Sequence, residues 1–451
     1  MAMLSMKRAS LSLIMGVLLV SGCLVLGAIK DAQAMGIKQV TSKKGINGWL
    51  IRDSMVPIFT LHFAFRGGAA LDPVGREGVS EMVSGLLDEG AGPYSSSDFQ
   101  ARLENNSISM RFSAGRDNFS GSLKSLAENR NMAASLLSLA LTQPHFDAAP
   151  VARIRAQLLS SARRRAVRPS STARRSFRKL VFGNHPYGRS ASGTVESLKK
   201  ITKQDMAGFV KNRFARDNLV VGAVGNITED EFARIIDRIF GALPARSTPF
   251  SISEAKIKGA GNVVVVDRDI PQSVVVFGHS GIKRNDPDYY AALVMNYALG
   301  GGGLTSRLAT EIREKRGLAY SVYSRIATYD HGGLFLGRVS TKNDRVAKSI
   351  ALIRSEWTRM AKSGLGAQEL EDSKRYLTGA FFTRLNSSSR IAGLLVGIQL
   401  EKFGRDYLAK RNRMIEQVSI KDITRVAKRL MKPSDLTFVI VGRPKGITPK
   451  P

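Results

Sequence analysis

The sequence predicts an α+β chain built from two copies of one unit, and three observations predict it. First, the ends of the two halves match at one constant spacing: Asp205 with Asp422, Leu219 with Leu436 and Gly225 with Gly442, each about 217 residues apart. Second, each half opens and closes on a β-branched, aromatic run and fills its middle with helix-period stretches. Third, 451 residues at 43% hydrophobic and 23% charged can bury the cores of two or three domains. A period this long is beyond stacked-repeat solenoids and marks a duplicated domain.

The elements follow in chain order. Lys7 and Arg8 precede an apolar stretch from Leu11 to Ile29, and Ala32-Gln33-Ala34 is a small-x-small cleavage site. Residues 1–34 therefore read as an export signal, with a mature chain from Met35 and a periplasmic location. Val20-Ser21-Gly22-Cys23 also fits a lipoprotein box, so cleavage, lipidation at Cys23 and a retained membrane anchor all stand as readings. Cleavage after Ala34 removes the only cysteine, which excludes disulfides and thiol catalysis. No other apolar run nears the roughly 20 residues of a membrane span.

The first repeat covers 35–244. Val56–Phe63 is its opening strand, and Met206, Phe209, Val210 and Phe214 mark a short helix before the closing Val-rich strand that ends at Gly225. Residues 245–262, with Pro249, Ser251, Ser253, Gly259 and Gly261, read as a linker. The second repeat covers 263–451. Ile270–Phe277 parallels Val56–Phe63, and Ile423, Val426, Ala427 and Leu430 mark the helix before its closing strand. Each unit is expected to be an antiparallel-rich sheet with helices on one face.

Lys plus Arg number 68 against 37 Asp plus Glu, a formal net charge of +31. That charge suits polyanions, an anionic membrane surface or acidic partners. No zinc-finger spacing or RNA-binding aromatic signature accompanies it, so no specific nucleic acid is expected.

Three stretches stand out. Gly301-Gly302-Gly303-Leu304-Thr305-Ser306-Arg307-Leu308 leads into Glu311-Ile312-Arg313-Glu314-Lys315-Arg316-Gly317-Leu318-Ala319-Tyr320-Ser321-Val322-Tyr323. Phe182–Gly188 is followed by Gly193-Thr194, and Leu87-Asp88-Glu89-Gly90-Ala91-Gly92 lies further upstream. Together they resemble the pitrilysin, insulinase and mitochondrial-processing-peptidase family, across nearly the whole mature chain. The resemblance implies two ferredoxin-like (LuxS and processing-peptidase-like) α/β repeats, with two chains or halves enclosing a peptide chamber.

Active members of that family carry His-x-x-Glu-His on an early helix. Two imidazoles four residues apart lie on one helical face and share a tetrahedral Zn²⁺, while the carboxylate takes a proton from the bound water. Here the matching segment is Gly78–Leu87, and Glu81, Ser84 and Gly85 stand in the three roles. Serine without a partner is a poor base, and glycine cannot ligate through a side chain. The family's downstream glutamate ligand is missing too, because 148–195 contains no Asp or Glu. It holds Arg153, Arg155, Arg163, Arg164, Arg165, Arg168, Arg174, Arg175 and Arg178 instead, a surface that repels a cation. No two of His62, His145, His185, His279 and His331 are four residues apart. No cofactor is expected in this chain. No P-loop or Gly-x-Ser-x-Gly elbow is present, and Ser387-Ser388-Ser389 reads as a helix cap.

The resemblance also implies what is kept. An arginine and a tyrosine seven residues apart reach the family's active site and hydrogen-bond the substrate and the developing oxyanion; here they are Arg313 and Tyr320. Gly301, Gly302 and Gly303 would let a substrate backbone approach closely. Pro186 between His185 and Tyr187 suggests an ordered structural turn. The expectation is a non-catalytic subunit, inactive alone. It binds unfolded peptides and completes the site of a homologous partner that bears the zinc, as a heterodimer. The alternatives are a binding or assembly protein without a peptidase role, and an autonomous hydrolase with an unrecognised site.

Overall fold

The computed structural model describes residues 36–450; the export-signal, lipidation and anchor readings fall on residues outside these. No helix among the described residues is long and apolar enough to cross a membrane.

The first unit contains β1 (Lys38–Thr41), β2 (Asn47–Arg52), β3 (Ile58–Arg66), α1 (Val79–Ser84), α2 (Ser96–Asn105), β4 (Ser109–Ala114) and β5 (Asn118–Leu126). It continues through α3 (Arg130–Thr142), α4 (Ala148–Val167), α5 (Pro169–Phe182), α6 (Val195–Lys200), α7 (Lys203–Arg213), β6 (Leu219–Gly225) and α8 (Glu229–Phe240). The second unit contains β7 (Val263–Val266), β8 (Gln272–Ser280), α9 (Tyr289–Asn296), β9 (Ala319–Tyr329), β10 (Gly332–Lys342), α10 (Val346–Ser363) and α11 (Ala367–Thr383). It ends with α12 (Ser388–Leu400), α13 (Tyr407–Glu416), α14 (Ile420–Leu430) and β11 (Thr437–Val441).

The sheets repeat one plan. Their orders are β1-β2-β6-β3-β5-β4 and β7-β11-β8-β10-β9. In each, one parallel pair (β2 with β6, β7 with β11) joins otherwise antiparallel neighbours. The mixed α/β architecture and the duplication are as the sequence predicts. The matched helices α7 and α14 even start alike: Thr202 and Ser419 accept from the backbone N–H of Asp205 and Asp422, whose carboxylates reach back to close a capping box. Phe63 and Phe277 each lie across a facing glycine, Gly121 and Gly337, where an added Cβ would meet the ring at 2.2 Å.

The expectation of helices on one face is corrected. Each sheet is covered on both. On the inner face of the first sheet, Leu50, Leu61, Phe63 and Val221 pack with residues of α1, α3 and α8. On the other, Trp49, Ile51 and Val224 pack against Ala392, Leu395 and Ile398 of α12, a helix of the second unit. The second sheet returns the arrangement: Val275, Phe277 and Phe438 face its own helices. Val274, Val276 and Val439 face Ala173, Phe177 and Val181 of α5, from the first unit. The strand Thr437–Val441 is buried at every position and apolar from Phe438 onward because both of its faces are covered. Each fully buried Val, Leu or Phe contributes about 1.5–3 kcal/mol, so the exchanged helices bind the two units into one body.

Candidate functional site

α1 begins after Gly78, whose positive φ of 99° suits glycine, and buries Val79, Met82 and Val83. Glu81, Ser84 and Gly85 are left half-exposed. Ser84 donates its hydroxyl to the Glu81 carbonyl at 2.8 Å. Burial pushes the Glu81 carboxyl up, and the charge of Arg165 acts against this. At Gly85 an added Cβ would sit 3.1 Å from Ile154 Cγ2 on α4, so Ile154 would have to shift slightly to admit a side chain. Among the described residues no group of three or more His, Cys, Asp or Glu is placed to hold a metal ion. The donor set at 81, 84 and 85 does not fit zinc, since only one of the three residues has a ligating carboxylate.

The arginines of 148–178 divide by role. Arg153 pairs with the buried Glu89, which also accepts from Ser96 Oγ at 2.6 Å. Arg155 donates to the carbonyls of Lys199 and Ile201 at 3.2 and 2.8 Å, neutralising the C-terminal end of α6. Arg165 holds the Ser192 carbonyl at 3.2 Å.

The glycine-rich segment lies between two π-helical turns, Tyr297–Gly301 and Ala309–Glu314; such turns recur at functional sites. An added Cβ at Gly301 would meet Asn296 Nδ2 at 2.9 Å, and one at Gly302 the Tyr297 carbonyl at 3.0 Å. Gly303 has φ +63° and faces open space. Arg307 anchors the segment from below. It is buried, holds the Glu369 carboxylate with two donors at 2.7 and 2.5 Å, and reaches the Gly364 carbonyl at 2.9 Å.

The structure brings Arg313 and Tyr320 together. The guanidinium lies 5.2 Å from the Tyr320 ring centroid, within cation–π range. Tyr320 is 86% exposed, an unusual placement for a large aromatic, and stands at the start of the sheet-edge strand β9. Among the described residues neither side chain has a hydrogen-bond partner, so their donors are free for a ligand.

His185 and Tyr187 are structural, as expected. His185 accepts from the Tyr187 N–H at 3.1 Å and meets the Ser253 carbonyl at 2.8 Å. Tyr187 donates to Asp117 at 2.6 Å and accepts from the His331 N–H at 3.1 Å, which ties the first unit to the second. Burial, then the Asp117 hydrogen bond, push its phenol upward.

One juxtaposition was not legible in the sequence. His62 Nε2 and Ser389 Oγ, 327 positions apart, are 2.8 Å apart. Gly393 occupies the Nδ1 side, where an added Cβ would lie 3.4 Å away. Among the described residues no carboxylate bonds to the ring, and the pair is a contact between units. Ser387 caps α12 through the Arg390 N–H at 3.4 Å, as the serine run suggests.

Comparison with known proteins adds the following. Residues 200–377 match the family described as the peptidase M16 inactive domain. The chain is 27% identical over 403 residues to a non-peptidase homologue, YmxG, of Helicobacter pylori, covering 87% of this chain and 90% of that protein. It is 25% identical over 288 residues to a probable mitochondrial-processing peptidase subunit beta of Schizosaccharomyces pombe; the match covers 59% of this chain and 61% of that subunit. A crystal structure of a peptidase M16 inactive domain from Pseudomonas fluorescens superposes with a TM-score of 0.85 at 25% identity, covering 92% of this chain and all of that one.

Proposed function

We propose that this chain, which is similar to peptidase M16 inactive domains and to a non-peptidase homologue, is a non-peptidase member of that family and the substrate-binding subunit of an exported heterodimeric peptidase. In this reading it closes a chamber around unfolded peptides with a homologous partner that holds the zinc. The observation that carries it is the pairing of Arg313 with the exposed Tyr320, in a chain whose residues 81, 84 and 85 do not suit a metal. In this reading one half of a peptidase site is kept and the other half lost, and division between two chains would account for both. Export rests on the charged and apolar pattern of residues 7–34.

The roles follow from the donors. Arg313 presents a fixed, charged fork to the substrate carbonyl, whose oxygen gains negative charge as the peptide bond is attacked. Tyr320 supplies one hydroxyl donor to the same oxygen or to the neighbouring backbone. The partner supplies the activated water.

The test is peptide hydrolysis with bound zinc measured in the same samples, using the chain alone and mixed with its zinc-bearing homologue. The chain alone should hold no zinc and cleave nothing. Mixing should raise the partner's activity, and Arg313→Ala should lower kcat by about 10²–10³-fold, with a smaller loss for Tyr320→Phe. A stimulation that survives both substitutions would point instead to an assembly role. Stoichiometric zinc and cleavage by this chain alone would sink the reading.

A further inference from the structure

A cleft of about 720 Å³ lies between the first unit and the outer face of β9 and β10, a size suited to a bound ligand. Its charge is one-sided. Arg165 on α4, Arg174, Arg175 and Arg178 on α5, Arg116 and Arg189 on loops, and Arg325 on β9 line it against a single carboxylate, Glu196. Glu196 is already engaged by Thr194 at the solvent edge.

Most of these guanidiniums are positioned without being neutralised. Arg116 donates to the Tyr187 carbonyl at 3.2 Å, Arg165 to the Ser192 carbonyl, and Arg178 to the Tyr329 hydroxyl at 2.7 Å. Among the described residues only Arg189 forms an ion pair, with Glu77 at 3.7 Å; Asp117, Glu81 and Glu196 act on Arg116, Arg165 and Arg175 from further away. Arg174, Arg175 and Arg325 make no hydrogen bond or ion pair among the described residues. Burial, then the like charge of Arg178, push Arg116 down to about 10. The fold does not require this charge. α12, which covers the other sheet as α5 covers this one, has Arg390 as its single charged residue, whereas α5 has Arg174, Arg175, Arg178 and Lys179.

The floor is formed by Phe177, Val276 and Leu334, which are almost wholly buried, and the half-buried Leu336, so the arginine walls, and not an apolar surface, would select what binds. The cleft also shares a strand with the candidate site. Tyr323 and Arg325 pair with Arg338 and Leu336 across β10. Tyr320, Tyr323 and Arg325 stand on the exposed side of β9, whereas Val322 and Ala319 face the core. From Tyr320 to Arg325 is roughly 17 Å along an extended strand, the reach of five or six peptide residues.

We propose that this cleft binds an acidic segment of the peptide whose backbone is held by Arg313 and Tyr320, so that the chain selects substrates bearing carboxylates about five residues from that point. The proposal rests on the peptide-binding reading above. Guanidinium forks grip carboxylates with two donors each, and several converging forks select an anionic segment over a neutral one.

The experiment is fluorescence anisotropy of the purified chain with three labelled 12-residue peptides. One alternates Glu with Leu and Val, one carries Gln for Glu, and one carries Lys for Glu. The acidic peptide should bind at least tenfold tighter than the Gln peptide, with the preference shrinking as salt rises. Combining Arg174→Gln, Arg175→Gln and Arg325→Gln should collapse that ratio to near one. Arg325→Gln alone, a single change at an exposed position, should cut it about threefold and serves if the triple variant folds poorly. Equal binding of the acidic and Gln peptides overturns the proposal, as does a ratio unmoved in the single variant. Binding of tripolyphosphate or phosphatidylglycerol vesicles without acidic-peptide binding also overturns it. Arg313→Ala separates the two readings. If it weakens all peptides but no acidic preference exists, only the cleft proposal falls. If it changes nothing while the preference persists in the wild type and collapses in the triple variant, the Arg313–Tyr320 reading falls and the acidic-segment cleft stands by itself.

Discussion

At the residue scale, His279 shows how packing decides what a histidine is for. Its ring is buried beside Phe335, its Nδ1 meets the Ser280 carbonyl at 2.7 Å, and its Nε2 accepts from Trp357 Nε1 at 2.8 Å. That arrangement requires the neutral ring, and burial pushes its pKa down to about 4, opposed by the Ser280 carbonyl bond and the charge of Asp435 and aided by Lys432. The unfolded chain takes up the proton near pH 6.5 and the folded chain does not. Stability from this group is therefore present above about 6.5 and is lost as pH falls toward 4. Denaturant titrations at pH 7.5 and 4.5 should show the wild type losing about 2–3 kcal/mol more than His279→Gln. An equal loss in both would refute the assignment. As one of five histidines in the sequence, His279 gave no sign of this role, because its partner lies 78 positions away.

At the element scale, the seating of α12 on the first sheet depends on a missing side chain. Gly222 in β6 faces Leu395 Cβ at 2.7 Å and the Ala392 carbonyl at 2.9 Å, measured from an added Cβ. Its φ is not positive, so Gly222→Ala meets a steric obstacle and no backbone one. Overpacking there should cost about 1–3 kcal/mol. Gly208 in α7 has nothing within 4 Å of an added Cβ, and Gly208→Ala should stabilise by about 0.5–1 kcal/mol. Thermal melts of the two variants should move in opposite directions; a neutral Gly222→Ala would mean that α12 sits less tightly than this packing requires. A milder contact of the same kind stands at Gly85, where an added Cβ would lie 3.1 Å from Ile154 Cγ2. The residue types at 81, 84 and 85 were legible in the sequence, but their packing against α4 was not.

At the scale of the whole molecule, the exchange of α5 and α12 makes the two units interdependent. Residues 36–244 alone would expose Trp49, Ile51 and Val224 on one sheet face and leave α5 without its sheet. Residues 263–450 alone would expose Val274, Val276 and Val439. Each half expressed by itself should aggregate or unfold without a cooperative transition, whereas the two expressed together should associate and melt as the intact chain does. Two monomeric halves that each unfold cooperatively would show that the exchanged helices are dispensable. Calorimetry and sedimentation of the three samples decide it.

The sequence by itself determined the duplication, the strand and helix types, and the residue types at 81, 84 and 85. These are local properties: a periodicity, a residue type, or a spacing within one helix. Family resemblance pointed to Arg313 and Tyr320, yet their stacking and the exposure of Tyr320 are visible only in the folded chain. Tertiary structure alone decided that each sheet borrows a helix from the other unit, that His62 meets Ser389, and that arginines from α4, α5, two loops and β9 line one cleft. Those groupings join residues 100–330 positions apart, roughly, and chain pattern sets only which faces are apolar. Which buried face meets which partner is settled by the packing of the complete molecule, where both sides of every central strand must be covered at once.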